Sequence, residues 1–479
     1  MGALALSSQT GTRPNVLLLI IDDCPPDVVS LTGDRVARTP NMRRLAQRGV
    51  TFTKGYCAAP ACGPSRAAML TGLQPSTMGV YQNDQSFRDA KNWVKDVVTM
   101  PEHFKANGYL TAGFGKVFHS GRQTDQNRHA YTGGYFSPFV NARDKALEQF
   151  VPAGKKVTGS VADYTWGPLP DDFDRPGSSR KQQDTEHADR AISLLKQNHG
   201  RPFFCATGFY RPHVHWFVPQ RFYDLYPPEK LPMPEGLKWD DLDDLPPAAQ
   251  WFLKAPTFHN IHLRGLWKQA LQALYASITY VDDQIGRVLD ALDSSPHKDN
   301  TIVVFVGDNG WHTGQKHRFS KFALWELACR VPFVISVPGV PSRVSQAPVS
   351  MLDLYPTLAS LCELPVPSHS LEGADLAGVL RRKQPSTGRP VLSTMGLNNH
   401  SLRDERYRYI RYSNGDEELY DHETDPHEWK NLAGDPRHEG KKRTLAAHLP
   451  KSNAPDLYES EWTRRWQAWM KDELLAYPE

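Results

Sequence analysis

Residues able to do chemistry gather in three short stretches of this chain and in a fourth, dispersed group of basic residues. The first is Tyr56 to Gly72, YCAAPACGPSRAAMLTG, where the thiol of Cys62 stands on a Gly63-Pro64 turn just before the apolar run Ala67 to Leu70. That run reads as a helix closed by Gly72. Cys62 therefore lies at a helix entrance, where unpaired amides and the dipole favour a tetrahedral anion beside the side chain. The plainer reading of a free cysteine is a small hydrophobe packed against a sheet. The second stretch is Asp22-Asp23, at the end of the run NVLLLII. Two adjacent carboxylates repel unless a cation or hydrogen-bond donors compensate them, and a hard metal ion resolves that repulsion; a solvated turn before Pro25 and Pro26 is the alternative. The third is Asp308-Asn309, at the end of TIVVFVG. With the first pair it offers oxygen ligands alone, the preference of calcium or magnesium and a poor choice for zinc.

The fourth group is basic: Lys116 and His119 in GKVFH, His213 and His215 in RPHVHW, and Lys321 after a loop carrying His312, Lys316, His317 and Arg318. A lysine and a histidine paired at a strand edge can hold an anion and handle protons, although each alone is more often solvated or structural. Pro212 fixes the backbone before His213 and so aims that imidazole. His312, His317 and Arg318 have the chemistry to grip an anionic substrate, or to be ordinary surface charge.

The elements that must position these groups follow from pattern. Asn15 to Ile21 and Thr301 to Val306 are continuous β-favouring apolar runs, as expected of strands buried on both faces of a parallel sheet, and carboxylates at their carboxyl ends lie where open α/β sheets place ligands. Further strands are expected at Thr51 to Tyr56, Leu110 to Gly115, Pro202 to Thr207 and Val331 to Val337. Helices are expected at Asn41 to Arg48, Pro101 to Asn107, Thr185 to Asn198, Leu352 to Leu364 and, as one long amphipathic element, from about Leu263 to Leu292. The alternation argues for an α/β layered domain over residues 1–385. Beyond it, Arg406 to Tyr412, the Asn414-Gly415 hairpin signal and Glu417 to Asp421 predict a small antiparallel sheet in a C-terminal α+β subdomain, residues 386–479. Trp462, Trp466 and Trp469 at helical spacing are expected to dock onto it. Asp125 to Pro176 and Pro227 to Pro256 read as long pocket-shaping loops.

Composition sets the bounds. The 479 residues carry a formal charge of +3 with no long basic run, which gives no support to a nucleic-acid partner. Six cysteines, Cys24, Cys57, Cys62, Cys205, Cys329 and Cys362, are scattered and fit neither zinc spacing nor a disulfide framework. No apolar stretch approaches the roughly twenty residues of a membrane span, so no integral membrane segment is expected. Met1 to Thr12 lacks a basic n-region and a full apolar core. As written the chain reads as cytoplasmic; an exported mature form, periplasmic or secreted, is the alternative.

CGPSR followed by AAMLTG resembles the signature of the sulfatase family of the alkaline phosphatase superfamily, CxPSR with LTG or MTG after three further residues. The likeness runs from Arg13 to about Pro436, and GKVFH and RPH look most like the forms in iduronate-2-sulfatase and bacterial polysaccharide sulfatases. It implies an alkaline-phosphatase-like fold: a large mixed, mostly parallel sheet flanked by helices. It implies too that Cys62 is converted to Cα-formylglycine by a formylglycine-generating or equivalent maturation enzyme. Asp22, Asp23, Asp308 and Asn309, with the modified Cys62, would bind calcium (magnesium being the other candidate), and Arg66, Lys116, His119, His213 and Lys321 would surround the sulfate. A hydroxyl of the hydrated aldehyde would attack sulfur, His119 would take the proton of the second, and His213 or Lys321 would protonate the leaving alcohol. The implied substrate is a sulfated carbohydrate. A histidine stands at the position of Asn309 in iduronate-2-sulfatase, which weakens a claim to that substrate but not to the metal. Three other readings stay open: phosphate or phosphonate ester hydrolysis on the same scaffold, non-catalytic binding of sulfated polysaccharide, and thiol-dependent hydrolysis.

Overall fold

The computed structural model describes residues 13–456 except 34, 90–93, 95, 120, 160–163, 252 and 254–256. Met1 to Thr12 and the Trp462, Trp466 and Trp469 tail lie outside the described residues. Eight strands form the main sheet: β1 (Asn15–Ile21), β2 (Val50–Phe52), β3 (Leu110–Gly115), β4 (Phe136–Pro138), β5 (Phe203–Gly208), β6 (Thr301–Gly307), β7 (Phe333–Ser336) and β8 (Arg343–Ser345). Their order is β8-β2-β7-β6-β1-β5-β3-β4. Pairing is parallel from β6 to β4, and antiparallel only where β7 meets β6 and β2.

β1 shows why a run without alternation becomes the central strand. Leu17, Leu19 and Ile21 enter one hydrophobic core, and Val16, Leu18 and Ile20 enter the other. Successive side chains leave opposite faces of a strand, so only an all-apolar sequence suits two buried faces. The core on one side is completed by α2 (Gln183–Leu195) and α3 (Trp267–Asp293), that on the other by α1 (Cys62–Thr71) and residues such as Leu352, Leu354 and Leu358.

Three expectations need adjustment. The expected strand Thr51 to Tyr56 is two, Val50–Phe52 and Gly55–Tyr56. The long helix starts at Trp267 rather than Leu263, because Gly265 takes a left-handed φ of +64° that closes a separate helix, Thr257–Leu263. Residues 125–176 are not only loop: Thr165–Leu169 is a buried strand pairing parallel with Trp216–Pro219 in a small separate sheet.

Near the C-terminus a four-stranded antiparallel sheet runs through β9 (Val391–Thr394), β10 (His400–Arg403), β11 (Tyr407–Arg411) and β12 (Glu417–Asp421). It is pinned to the main sheet on both sides of the future site. The Thr394 amide donates to the Ala58 carbonyl at 2.8 Å and the Ser393 hydroxyl to that of Cys57 at 2.6 Å, just before Cys62. Just after Lys321, buried Arg408 pairs with Glu326 and, at 2.7 Å, with Glu428, while the Tyr56 hydroxyl donates to Glu326 at 3.0 Å. Glu326, His422 and Glu428 come close enough together to suggest a metal site, but the carboxylates already face Arg408 and Arg403.

Removing one partner of such a buried network strands the others uncompensated. Glu326→Ala is expected to cost about 3–5 kcal/mol of stability, read from the urea midpoint. The pH dependence has a definite sign. Burial alone would raise the Glu428 pKa, yet Arg408 and His422 hold it down to about 2 from an ordinary 4.5. Its contribution is therefore complete above about 4.5 and is lost as pH falls toward 2.

Candidate active site

Strand register brings the functional groups to one edge. Ile21 pairs with Gly307, so the next residues, Asp22 and Asp308, leave side by side, and the Asp308 amide donates to the Ile21 carbonyl at 3.0 Å. On the other flank Gly208 pairs with both Ile20 and Gly115, and the Lys116 amide donates to the Gly208 carbonyl at 2.7 Å. α1 is aimed at the same edge. The Gly63 amide donates to Asn83 Oδ1 at 2.8 Å, and the Ser65 hydroxyl donates to the Asp308 carbonyl at 2.5 Å.

Cys62 sits at the hub. Its Sγ lies 3.2 Å from Asp22 Oδ1 and 3.7 Å from Asp23 Oδ1, and it accepts from Lys321 Nζ at 2.6 Å. Lys321 also pairs with Asp23, and Lys116 with Asp22. Arg66 Nε donates to Asp308 Oδ2 at 2.8 Å and its Nη1 to the Lys116 carbonyl. Asn309 Nδ2 donates to Asp23 Oδ1 at 2.8 Å, and His213 Nε2 is 3.5 Å from Asp23 Oδ2. Asp23 holds a left-handed φ of +60°, with its amide donating to Asp308 Oδ1 at 3.1 Å. Non-glycine residues adopt that conformation mostly as Asp or Asn.

Three buried carboxylates, Asp22, Asp23 and Asp308, thus face three buried cations, Arg66, Lys116 and Lys321. The titrations follow from this crowding. Burial and Asp22 push the Cys62 thiol well up. Burial opposes charge on Lys321, but Asp23 and its neighbours win and raise it well above its usual value. Burial lowers His119 well below 6.5, helped by Lys116, Arg66 and Lys321; burial also lowers His213, against Asp23.

The donor set fits a hard cation. Asp23 Oδ2 and Asn309 Oδ1 are buried and have no hydrogen-bond donor among the described residues. Such orphaned oxygens are costly unless something positive meets them. Arg66 Nη2 is a buried donor with no hydrogen bond among the described residues, its carboxylate neighbour Asp22 Oδ1 lying 3.8 Å away, so it retains the capacity to donate to an anionic oxygen.

The structure brings together Asp22, Asp23, Cys62, Arg66, Lys116, His213, Asp308, Asn309 and Lys321, with His119 near enough to feel the charges of Lys116, Arg66 and Lys321. The three residues proposed to grip substrate lie apart from the hub. His312 is buried with its ring against Trp325. His317 packs between Trp239 and Phe258. Arg318 is buried and donates to the Lys321 carbonyl at 2.6 Å; burial lowers its pKa to about 10. Sequence reasoning missed Asn83, Ser65 as the tie to Asp308, and Tyr210, whose ring lies 5.1 Å from Lys116 Nζ. Only Ser65 carried a signal, as the fourth residue of CGPSR.

A family model described as Sulfatase matches residues 14–364. The chain belongs to the sulfatase family. It is a sulfuric ester hydrolase. A second family model, N-sulphoglucosamine sulphohydrolase C-terminal, matches residues 314–454. The sulfatase is 37% identical over 461 residues to a protein of Formosa agariphila named sulfatase, covering 94% of this chain and 89% of the relative. It is 29% identical to human iduronate 2-sulfatase, covering 77% of this chain and 72% of that one. The phosphonate monoester hydrolase of Agrobacterium radiobacter shares the fold with a TM-score of 0.73 at 23% identity, covering 98% of both chains.

Glycine at 208 is a requirement of this geometry. A Cβ there would meet the Lys116 carbonyl oxygen at 2.0 Å, the atom that holds Arg66. Gly208→Ala is therefore expected to displace both cations and lower kcat on an aryl sulfate by about a hundredfold, the scale of an ångström misplacement. Circular dichroism on the same preparation checks that the loss comes from folded protein.

Proposed function

We propose that the sulfatase releases inorganic sulfate from a sulfated carbohydrate, using a Cα-formylglycine made from Cys62 by a maturation enzyme and a calcium ion held by Asp22, Asp23, Asp308 and Asn309. The observation that carries this is the place of Cys62 Sγ, 2.6 Å from Lys321 Nζ and 3.2 Å from Asp22 Oδ1. In that position the sulfur stands in for the oxygens of the converted side chain. Carbohydrate as substrate is supported by relatives: a Formosa agariphila protein named ulvan-active sulfatase is 29% identical over 92% of this chain and 81% of its own length. A solved protein in complex with its substrate D-glucosamine-2-N,6-O-disulfate shares the fold, with a TM-score of 0.70, 21% identity and coverage of 96% of this chain and 99% of that one.

When present, the formylglycine supplies a hydroxyl nucleophile and the cation supplies positive charge beside it. The chain's own residues do the rest. Arg66, fixed by Asp308 and the Lys116 carbonyl, would donate from Nη2, which makes no hydrogen bond among the described residues, to an anionic oxygen, and Lys116 and Lys321 add the charge that offsets repulsion as a nucleophile approaches a sulfate ester. His119, kept neutral by burial and by the cations around it, is the proton acceptor. Lys321, kept charged beside Asp23, is the candidate to protonate the departing alcohol; His213, also in contact with Asp23, is lowered by burial and would serve only after taking up a proton.

The experiment is sulfate release from defined sulfated oligosaccharides, with mass analysis of the peptide containing Cys62. Cys62→Ala and Cys62→Ser are both expected to lose turnover, since neither can become the aldehyde; sulfate release by Cys62→Ala would sink the mechanism. Asp308→Ala should weaken bound calcium measurably by elemental analysis, and chelation should silence the wild-type protein until calcium or magnesium is restored. Phosphate or phosphonate esters turned over faster than the matching aryl sulfate would replace this reading with its nearest competitor.

A further inference from the structure

Trp239 is 60% exposed, although indole area in water is costly and large exposed apolar surfaces signal a partner. It is not a loose surface side chain. Its ring lies 6.3 Å from both Phe258 and Trp267, which are buried and meet edge to face at 4.9 Å. His262 at 5.0 Å and His317 at 5.4 Å flank it. Buried aromatics thus hold one part of the indole while another part is offered to solvent. A second indole, Trp429, is 36% exposed and donates from Nε1 to the Gly236 carbonyl at 3.2 Å, so it stands at the other end of the short turn that leads to Trp239.

A chain segment connects this surface to the reaction centre. His317 hydrogen-bonds the Trp239 backbone and precedes by four residues Lys321, whose ammonium touches Cys62. Four residues reach at most about 14 Å when fully extended. The segment after His262 is tied by Arg264 to the Thr158 carbonyl, and, separately, Tyr164 hydrogen-bonds Ser320 beside Lys321.

We propose that Trp239, with Trp429 beyond it, is a stacking platform for sugar rings of the substrate other than the ring that carries the scissile sulfate. A pyranose presents a C–H face that packs on an indole and hydroxyls at its rim that find polar neighbours, here the exposed His262. The platform makes the enzyme a reader of oligosaccharides rather than of single sugars. This rests on the carbohydrate reading given under Proposed function.

The test compares wild type, Trp239→Ala and Trp239→Phe on a sulfated tetrasaccharide and on an aryl sulfate. Trp239→Ala is expected to lower kcat/KM on the tetrasaccharide roughly three- to tenfold relative to the aryl ester, through KM, the scale of one lost aromatic contact. Trp239→Phe should restore most of it. Calorimetric binding of the same tetrasaccharide to Cys62→Ala protein should weaken by a similar factor when Trp239→Ala is added. An equal loss on both substrates, or unchanged affinity in the calorimeter, overturns the platform. Failure of the underlying reading looks different: wild type would then cleave the aryl sulfate yet release no sulfate from any sulfated sugar, monosaccharides included.

Discussion

Three carboxylates buried within a few ångströms of one another at the edge of a sheet cannot stand without compensation, and most of the architecture can be derived from that constraint. Like charges at such distances repel more strongly as water is removed. The molecule answers with Arg66, Lys116 and Lys321, brought from a helix, a strand end and a distant loop. Each cation has its own burial cost, so neither set is stable alone; removing one member leaves the other uncompensated. The balance is still incomplete. Asp23 Oδ2, Asn309 Oδ1 and Arg66 Nη2 make no hydrogen bond among the described residues, His213 and Asp22 standing 3.5 and 3.8 Å from the first and the last, and two acceptors beside one donor are what a cation and an anionic oxygen would satisfy.

The parallel register is what makes this charge cluster possible. In parallel strands adjacent carboxyl ends lie on the same edge, so consecutive pairings of β6 with β1, β1 with β5 and β5 with β3 deliver Asp308, Asp22 and Lys116 together without any loop having to reach for them. The close approach at Gly115 and Gly208 follows from it. The antiparallel sheet near the C-terminus then braces the two segments that are not strand ends: the stretch leading to Cys62 through Ala58, and the stretch following Lys321 through Glu326.

The sequence showed clearly whatever had a uniform environment. β1 and β6 are buried on both faces, so their composition alone marks them, and the acidic pairs that end them needed no structural knowledge. Cys62, Arg66 and the basic residues of GKVFH and RPH were legible by resemblance rather than by physics, since a buried thiol at a helix entrance has an ordinary explanation. What stayed hidden was set by tertiary partners. Strand Thr165–Leu169 contains Gly167 and Pro168 and is a strand because Trp216–Pro219 pairs with it. Asn83 lies in no motif and acts only because α1 begins beside it. His312, His317 and Arg318 were rightly placed on one basic loop, but a loop's sequence does not say which side chains face inward, and these leave in three directions.

The thiol-dependent alternative is weakened by the same geometry. A catalytic thiol needs a base in contact and an environment that favours thiolate. Cys62 instead lies against the Asp22 and Asp23 carboxylates, which disfavour a second negative charge, and the imidazole of His213 is directed to Asp23. Lys321 touches it, but that ammonium is already paired with Asp23. A site built to use sulfur as a nucleophile would not place carboxylates beside it. Carboxylates in that place accord instead with the proposed cation beside a converted Cys62.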